Sequence, residues 1–283
     1  MAKQKRVAAI HDVSCFGKCS LTVALPVISA AGIEVSCIPT AILSTHTGGF
    51  TGYTYRDLTD DMLPIVSHWR DLSLRFDALY TGYLGSPEQL NVVSEIFDVL
   101  GGGGALVVVD PVMADNGSMY PSFPPDFPSG MRRLCSKADV VVPNMTEALM
   151  LLDEPYTDGP YTAEFIDGVT ARLLDLGPRR VVLTGAHFDT EHLGAAIRET
   201  GAAGAEYIMS RRIPGSYHGT GDVFASALTA GLVGGLSLKK AARVAVDFTV
   251  GSIERTRAAG TDSRFGVNFE SGLAEFIVAV LAG

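Results

Sequence analysis

Short β-branched runs alternate with longer stretches of helical periodicity along most of the chain. Residues 6–11 predict a first strand, 12–19 a loop, and 21–31 an apolar helix with Pro26 marking its start or a kink. Strands follow at 34–39, 77–81 and 105–110, the last the continuous run ALVVVD expected of a strand buried on both faces. Helices are predicted at 61–74, with Trp69 as a packing residue, and at 87–100, where Ser86 before Pro87 suits an N-cap and first turn. Gly101 to Gly104 reads as a flexible connector. The alternation then resumes: strand 139–143, helices 146–152 and 162–176, and strand 180–184. Residues 192–197 and 205–213 predict an antiparallel pair, and helices at 220–232, 237–255 and 269–281 finish the chain. Residues 121–128 hold four prolines, which exclude a helix interior or an inner strand. They read either as a surface loop or as a flap over a site.

Such alternation predicts an α/β fold around a mostly parallel sheet. The chain has 283 residues, enough for one large domain or two small ones, and no linker or composition shift divides it. One domain spanning 1–283 is expected, with a flap at 115–130. In open α/β sheets ligands bind outside the carboxyl ends of the strands. Asp12, Thr47, Tyr83, Asp110, Asn144 and Thr184 each follow a predicted strand directly or after a short loop.

Charge narrows the partners. Lys and Arg total 22 against 31 Asp and Glu, a formal net charge of -9. That balance argues against nucleic acid and against anionic membranes. No apolar run approaches the ~18 residues of a membrane span, and the run 7–10 is too short for a signal-peptide core. Cys15, Cys19, Cys37 and Cys135 lack zinc-site spacing and are too few for a disulfide scaffold, so a cytoplasmic protein with reduced thiols is expected. Cys15 and Cys19 lie near the candidate site, which leaves a redox role open.

An acidic protein that handles phosphates must hold them by local means. No GxxxxGK[ST] occurs, and no GxGxxG leads from a strand into a helix. The strongest anion site is His218-Gly219-Thr220-Gly221-Asp222, where glycines precede an apolar helix and expose N–H groups at its start. Asp222 reads as a functional acid or as an ordinary first-turn acid. Asp110 and Asp115 flank a short loop after a buried strand, a spacing that suits a hydrated Mg²⁺ or simply two turns. In Pro143-Asn144-Met145-Thr146-Glu147, Thr146 is a candidate helix cap, and Glu147 favours a first turn or adds a carboxylate to a metal's water shell. His11 reads as a satisfied core histidine. Arg179-Arg180 and Arg211-Arg212 read as solvated pairs, with Arg211 or Arg212 placed to border a nucleotide. Ser14, Lys18, His187 and His192 form no recognisable hydrolase triad.

Together VDPVMADNGSMY (109–120), PNMTEA (143–148), Thr184-Gly185 and HGTGDVFAS (218–226) resemble the pyridoxal/pyridoxamine kinases of the ribokinase-like superfamily. The resemblance implies a three-layer α/β/α sandwich with short antiparallel edge strands. It implies an anion hole at Gly219, Thr220 and Gly221, and Asp222 as catalytic base. Asp110, Asp115, Asn144, Glu147, Thr184 and Thr220 then match positions around ATP and Mg²⁺, with Asp110 and Glu147 on the metal directly or through water. Thr47 and Tyr83 match contacts of the pyridoxal pocket, and Asp222 also touches the acceptor. A monovalent cation such as K⁺ and a homodimer follow from the same resemblance. Two positions depart from it: Asp12 stands where many pyridoxal kinases carry serine, and Gly185 where serine is frequent. An acid at Asp12 suits a protonated ring nitrogen or an amine. Hydroxymethylpyrimidine (phosphate) kinases share the superfamily and a CH₂OH acceptor, but commonly carry cysteine where this chain has Asp222. No β-rich lid of the sugar kinases follows the first strands. Retention of Asp222 with Asp110, Asp115 and Glu147 disfavours a non-catalytic vitamer-binding paralogue.

Overall fold

The computed structural model describes residues 4–282. Its strands are β1 (Arg6–Ser14), β2 (Glu34–Leu43), β3 (Tyr55–Asp57), β4 (Ala78–Thr81), β5 (Leu106–Val109), β6 (Ala114–Asp115), β7 (Ser118–Met119), β8 (Val140–Val141), β9 (Arg180–Ala186), β10 (His192–Glu199) and β11 (Glu206–Arg211). The helices are α1 (Leu21–Ala30), α2 (Thr59–Asp71), α3 (Pro87–Leu100), α4 (Phe127–Cys135), α5 (Met145–Leu152), α6 (Ala163–Asp175), α7 (Thr220–Gly234), α8 (Leu238–Ala258) and α9 (Leu273–Leu281).

Nine strands form one sheet in the order β11-β10-β9-β8-β5-β4-β1-β2-β3. The six strands from β9 to β2 run parallel, and β3, β10 and β11 add antiparallel edges. Alternate residues of a strand face opposite sides of a sheet. Here Ala8, Ile10, Leu79 and Val107 pack on Met62, Val93, Met131, Leu149 and Ile166 of α2 to α6. Val7, Ala78, Tyr80 and Val108 pack on Val23, Leu228, Ala241 and Phe276 of α1 and α7 to α9. The result is the α/β/α sandwich expected from the alternation, with a smaller antiparallel β6–β7 hairpin beside it.

Local chemistry explains where elements begin. The Ser86 hydroxyl accepts from Gln89 N–H at 3.2 Å and Pro87 occupies the first turn of α3. Thr162 and Ser237 cap α6 and α8 in the same way. Pro26 lies inside α1 rather than at its start.

Several expectations need correction. Residues 12–14 continue β1 instead of forming a loop, and β2 runs on to Leu43 through Pro39. Proline is tolerated there because β3 pairs only with residues 41–43, so β2 is still the sheet edge at Pro39. The step from the pair His11–Pro39 to the pair Val13–Ile42 is a register shift in which β2 carries one extra residue. The proline-rich segment is not all loop: α4 starts at Phe127 with Pro128 in its first turn. Phe123 and Phe127 stack at 4.0 Å and are buried, so the segment is pinned to the body of the fold. Asn116 and Gly117, with φ of 49° and 76°, make the tight turn of the β6–β7 hairpin. The final predicted helix divides into a 3₁₀ turn at Glu270–Gly272 and α9. No helix among the described residues is long and apolar enough to cross a membrane.

Candidate active site

Asp12 of β1, Tyr80 of β4 and Asp110 just after β5 lie close enough to Asp222, in the first turn of α7, for their charges to be felt. That helix begins at Gly219, whose φ of 75° is the left-handed region. A Cβ there would lie 2.0 Å from the Lys18 carbonyl oxygen, so glycine lets the two backbones meet. The turn is held by Thr220 Oγ1 donating to Tyr217 O at 3.1 Å. The Thr220 and Gly221 N–H groups, in the first turn, have no intrahelical acceptor.

Asp222 is the third residue of α7 and is half-buried. Desolvation, and then the nearby Asp12 carboxylate, push its pKa up to about 7, while the Ser20 N–H donates to it and opposes the rise. Ser20 achieves this with φ of 51°, a strained value for a residue other than glycine. Its hydroxyl donates to Asp12 Oδ1 at 2.5 Å, and the Ser14 hydroxyl donates to Asp12 Oδ2 at 3.0 Å. Ser20 therefore bridges the two acids, hydroxyl to one and N–H to the other. Burial raises the Asp12 carboxyl as well, against these serine hydrogen bonds.

Asp110 is buried at the end of β5 and its carboxyl accepts no hydrogen bond from the described residues. Burial first, then Glu147 and Asp222, hold it far above the ordinary carboxylate range. Glu147 is buried on α5; its Oε1 accepts from Met113 N–H at 3.1 Å and its Oε2 from Asn144 N–H at 2.9 Å. Asn144 Oδ1 accepts from Glu147 N–H at 2.9 Å, completing a reciprocal capping box. Asn144, not Thr146, is thus the cap; Thr146 Oγ1 accepts from Gly117 N–H at 3.0 Å and anchors the β6–β7 turn. Desolvation pushes Glu147 up to about 8 despite its backbone donors.

Other candidates are placed more loosely. Asp115 is exposed on the hairpin and accepts from Asn116 N–H and Nδ2, each at 2.9 Å. Asn144 Nδ2 donates to Ala114 O at 2.8 Å, and Thr184 Oγ1 donates to Pro143 O at 3.4 Å. Gly185 has φ of 77°, which accounts for glycine at a position where serine was expected to be frequent. Tyr83 is half-buried, its hydroxyl 3.5 Å from Ser122 Oγ and its pKa raised by burial and, less, by Asp12. Thr47 is exposed. Beside it His46 is buried: Gly48 N–H donates to Nδ1 at 3.1 Å, so the proton sits on Nε2, 2.6 Å from Arg264 O. The His218 ring lies 5.1 Å from it. Arg211 and Arg212, with His192, Glu254 and Arg257, line an open groove of about 820 Å³ between the β10–β11 edge and α8.

One bland reading also changes. His11 is fully buried with neither ring nitrogen partnered, and desolvation pushes its pKa down to about 3. Its ring packs edge-on against Tyr80 at 4.4 Å, with Gly82 leaving room for it. All four cysteines are free, and burial pushes the Cys19 thiol far up, further raised by Asp222 and Asp12, so it is held as an unreactive thiol.

The acidic cluster has a consequence for stability. Glu147 and Asp222 keep protons in the folded chain at pH values where an unfolded chain has lost them. Folding therefore takes up protons in this range, and stability falls as pH rises. Between about pH 7.5 and 9 His11 is neutral in both states and drops out, while Glu147 still titrates in the fold. The thermal midpoint of the ligand-free protein is expected to fall across that window. Glu147→Gln should flatten the slope, as checked by differential scanning calorimetry at several pH values.

A mostly parallel sheet between two helical layers, with acids and a glycine-led helix start at its strand ends, is the arrangement of a ribokinase-like kinase. The phosphomethylpyrimidine kinase family model matches residues 25–266, and the chain belongs to that family, with the pyridoxal kinases of the ribokinase-like superfamily. Pyridoxal kinase from Lactobacillus plantarum superposes with a TM-score of 0.89 and 31% identity, over 99% of this chain and 98% of that one. A Bacteroides thetaiotaomicron protein, provisionally designated a phosphomethylpyrimidine kinase and crystallised with pyridoxal, gives 0.89 and 38% over 97% and 96%. Hydroxymethylpyrimidine/phosphomethylpyrimidine kinase of Streptomyces coelicolor is 26% identical over 240 residues, 81% of each chain.

Proposed function

We propose that the protein transfers the γ-phosphoryl group of ATP to the 5′-hydroxymethyl group of pyridoxal, pyridoxamine or pyridoxine. The observation that carries this reading is Asp222: an acid with a pKa of about 7, held by Ser20 at the start of a helix whose first N–H groups have no intrahelical acceptor. In this reading Asp222 takes the proton of the acceptor hydroxyl as its oxygen attacks phosphorus. The Thr220 and Gly221 N–H groups and the helix dipole hold the charge of the transferring group. Asp12 and Tyr83 line the acceptor side, with Thr47 at its rim. The Ser122 hydroxyl, 3.5 Å from that of Tyr83, supports reading the 115–130 segment as a flap over the acceptor side. Asn144, Thr184 and Asp115 border the phosphates, and the groove lined by Arg211 and Arg212 takes the rest of the nucleotide. Phosphoryl transfer of this kind depends chiefly on positioning and electrostatics.

The acids also fit a divalent metal. Among the described residues no three His, Cys, Asp or Glu side chains could hold one alone, so phosphate and water must complete its shell. Asp110, buried without a donor, and Glu147, directly or through water, are the residues that would hold Mg²⁺. When bound, it neutralises charge on the phosphate oxygens. A homodimer and a K⁺ requirement rest on the resemblance.

The test is a coupled ADP-release assay with the three vitamers and with 4-amino-5-hydroxymethyl-2-methylpyrimidine. Turnover of a B6 vitamer at a higher kcat/KM than the pyrimidine is expected. The reverse order makes the protein a hydroxymethylpyrimidine kinase, and no ADP release with any acceptor overturns both.

A further inference from the structure

Acids dominate the charge on the acceptor side of the site. Asp12 and Asp222 are joined through Ser20, and Asp110 lies close enough to Asp222 to feel its charge. Among the described residues no Lys or Arg side chain pairs with any of the three. The cations in this region are engaged elsewhere: Lys18 Nζ donates to Asn268 Oδ1 at 2.9 Å and Glu270 Oε2 at 3.0 Å, and Arg264 pairs with Asp262 at 2.6 Å. His46 accepts an N–H at Nδ1 and lies near enough to Asp12 to favour its carboxylate, though it makes no hydrogen bond to it, and burial, then His46, lower the His218 pKa.

A buried carboxylate without a cation is costly unless something charged meets it. Mg²⁺ and the phosphates belong to the Asp110 and Glu147 side of the site in the reading above. Asp12 is on the other side, toward Tyr83 and Tyr55, both of which feel its charge. The two serines fix its orientation by holding one oxygen each, and each carboxylate oxygen keeps a further lone pair. A pocket built this way rejects an anionic edge and accepts an N–H cation.

We propose that Asp12 is a specificity-determining residue that selects acceptor alcohols bearing a cationic N–H group, a protonated pyridine nitrogen or an aminomethyl group, through a charge-assisted hydrogen bond. This rests on the kinase reading above and adds the charge of the acceptor to it. Serine at this position would offer only a neutral hydrogen bond, so the acid makes a discrimination that the resemblance alone does not imply.

The test compares wild type with Asp12→Asn and Asp12→Ser at about pH 8, using pyridoxamine, pyridoxine and 4-amino-5-hydroxymethyl-2-methylpyrimidine. At that pH pyridoxine carries a protonated ring nitrogen, pyridoxamine an ammonium besides, and the pyrimidine is neutral. Each is measured as kcat/KM, or as an inhibition constant if it is bound but not turned over. Truncating one partner of a buried charge pair costs a factor of roughly 30 or more. A loss of that size for the cationic acceptors, mainly in KM, with less than about threefold for the pyrimidine, is the expected result. An equal loss for pyridoxine and pyridoxamine assigns the ring nitrogen, and a loss for pyridoxamine alone assigns the amine; both support the proposal. An equal loss for all three, or none, in both variants overturns it, because a role confined to holding Ser14 and Ser20 would not distinguish acceptor charge. If wild type phosphorylates no acceptor, the kinase reading fails first and the proposal with it.

Discussion

Asp222→Asn is expected to lower kcat by about 10²- to 10⁴-fold, the usual contribution of a general base, while nucleotide binding is retained. Asparagine keeps the size of the side chain and suits the first turn of a helix, so α7 should start as before. It cannot take the proton of the acceptor hydroxyl. It can still face the Ser20 N–H through its amide oxygen, which limits the structural disturbance. Steady-state kinetics together with calorimetric titration of ATP would separate the two effects. Turnover near that of wild type removes Asp222 as the base. In the wild type, kcat/KM is expected to rise with pH through about 7 as Asp222 loses its proton. Asp222→Asn should lose this acid limb along with its rate.

The layers of the fold were legible because buried parallel strands and amphipathic helices carry opposite periodicities, and the order of strong elements came through intact. What the pattern did not carry was short or context-bound. The strand β3 is three residues long and wholly exposed, and the β6–β7 pair has two residues on each side. Proline in the first turn of α4 looked like a helix breaker but is compatible with a helix start. In the site, the residues that end strands and the glycines of 219–221 were visible because backbone geometry limits what can stand there. Ser20, His46 and His218 were not singled out, since their importance comes from contacts between segments far apart in sequence. Ser20 meets Asp222 across two hundred residues, and only its left-handed φ marks it as strained. Thr146 was misplaced as a cap because Asn144 and Glu147 form the better reciprocal pair, a spacing that the sequence PNMTEA does contain.

Gly219→Ala is expected to damage both the fold and the reaction. The new methyl group would meet the Lys18 carbonyl oxygen at 2.0 Å, far inside any real contact, and the residue would keep an unfavourable φ of 75°. Lys18 cannot simply retreat. Its N–H donates to Phe265 O at 3.1 Å, and Gly266 is packed so tightly on its other side that a Cβ there would lie 2.6 Å from Lys18 Cβ. The start of α7 must move instead, carrying the Thr220 and Gly221 N–H groups with it. Loss of one such donor from a transition-state site costs about 10²- to 10³-fold in kcat, and displacement of two should reach at least that. The backbone conformation alone costs alanine roughly 1–2 kcal/mol. Gly235, which ends the same helix with φ of 100° and has nothing within 4 Å of its Cβ position, separates that cost from the collision. Gly235→Ala should lower the thermal midpoint modestly and leave kcat intact, whereas Gly219→Ala should lower both, and the midpoint by more. Equal melting shifts for the two variants, with turnover preserved in Gly219→Ala, would show that the start of α7 is free to move without consequence and would remove the anion hole from the mechanism.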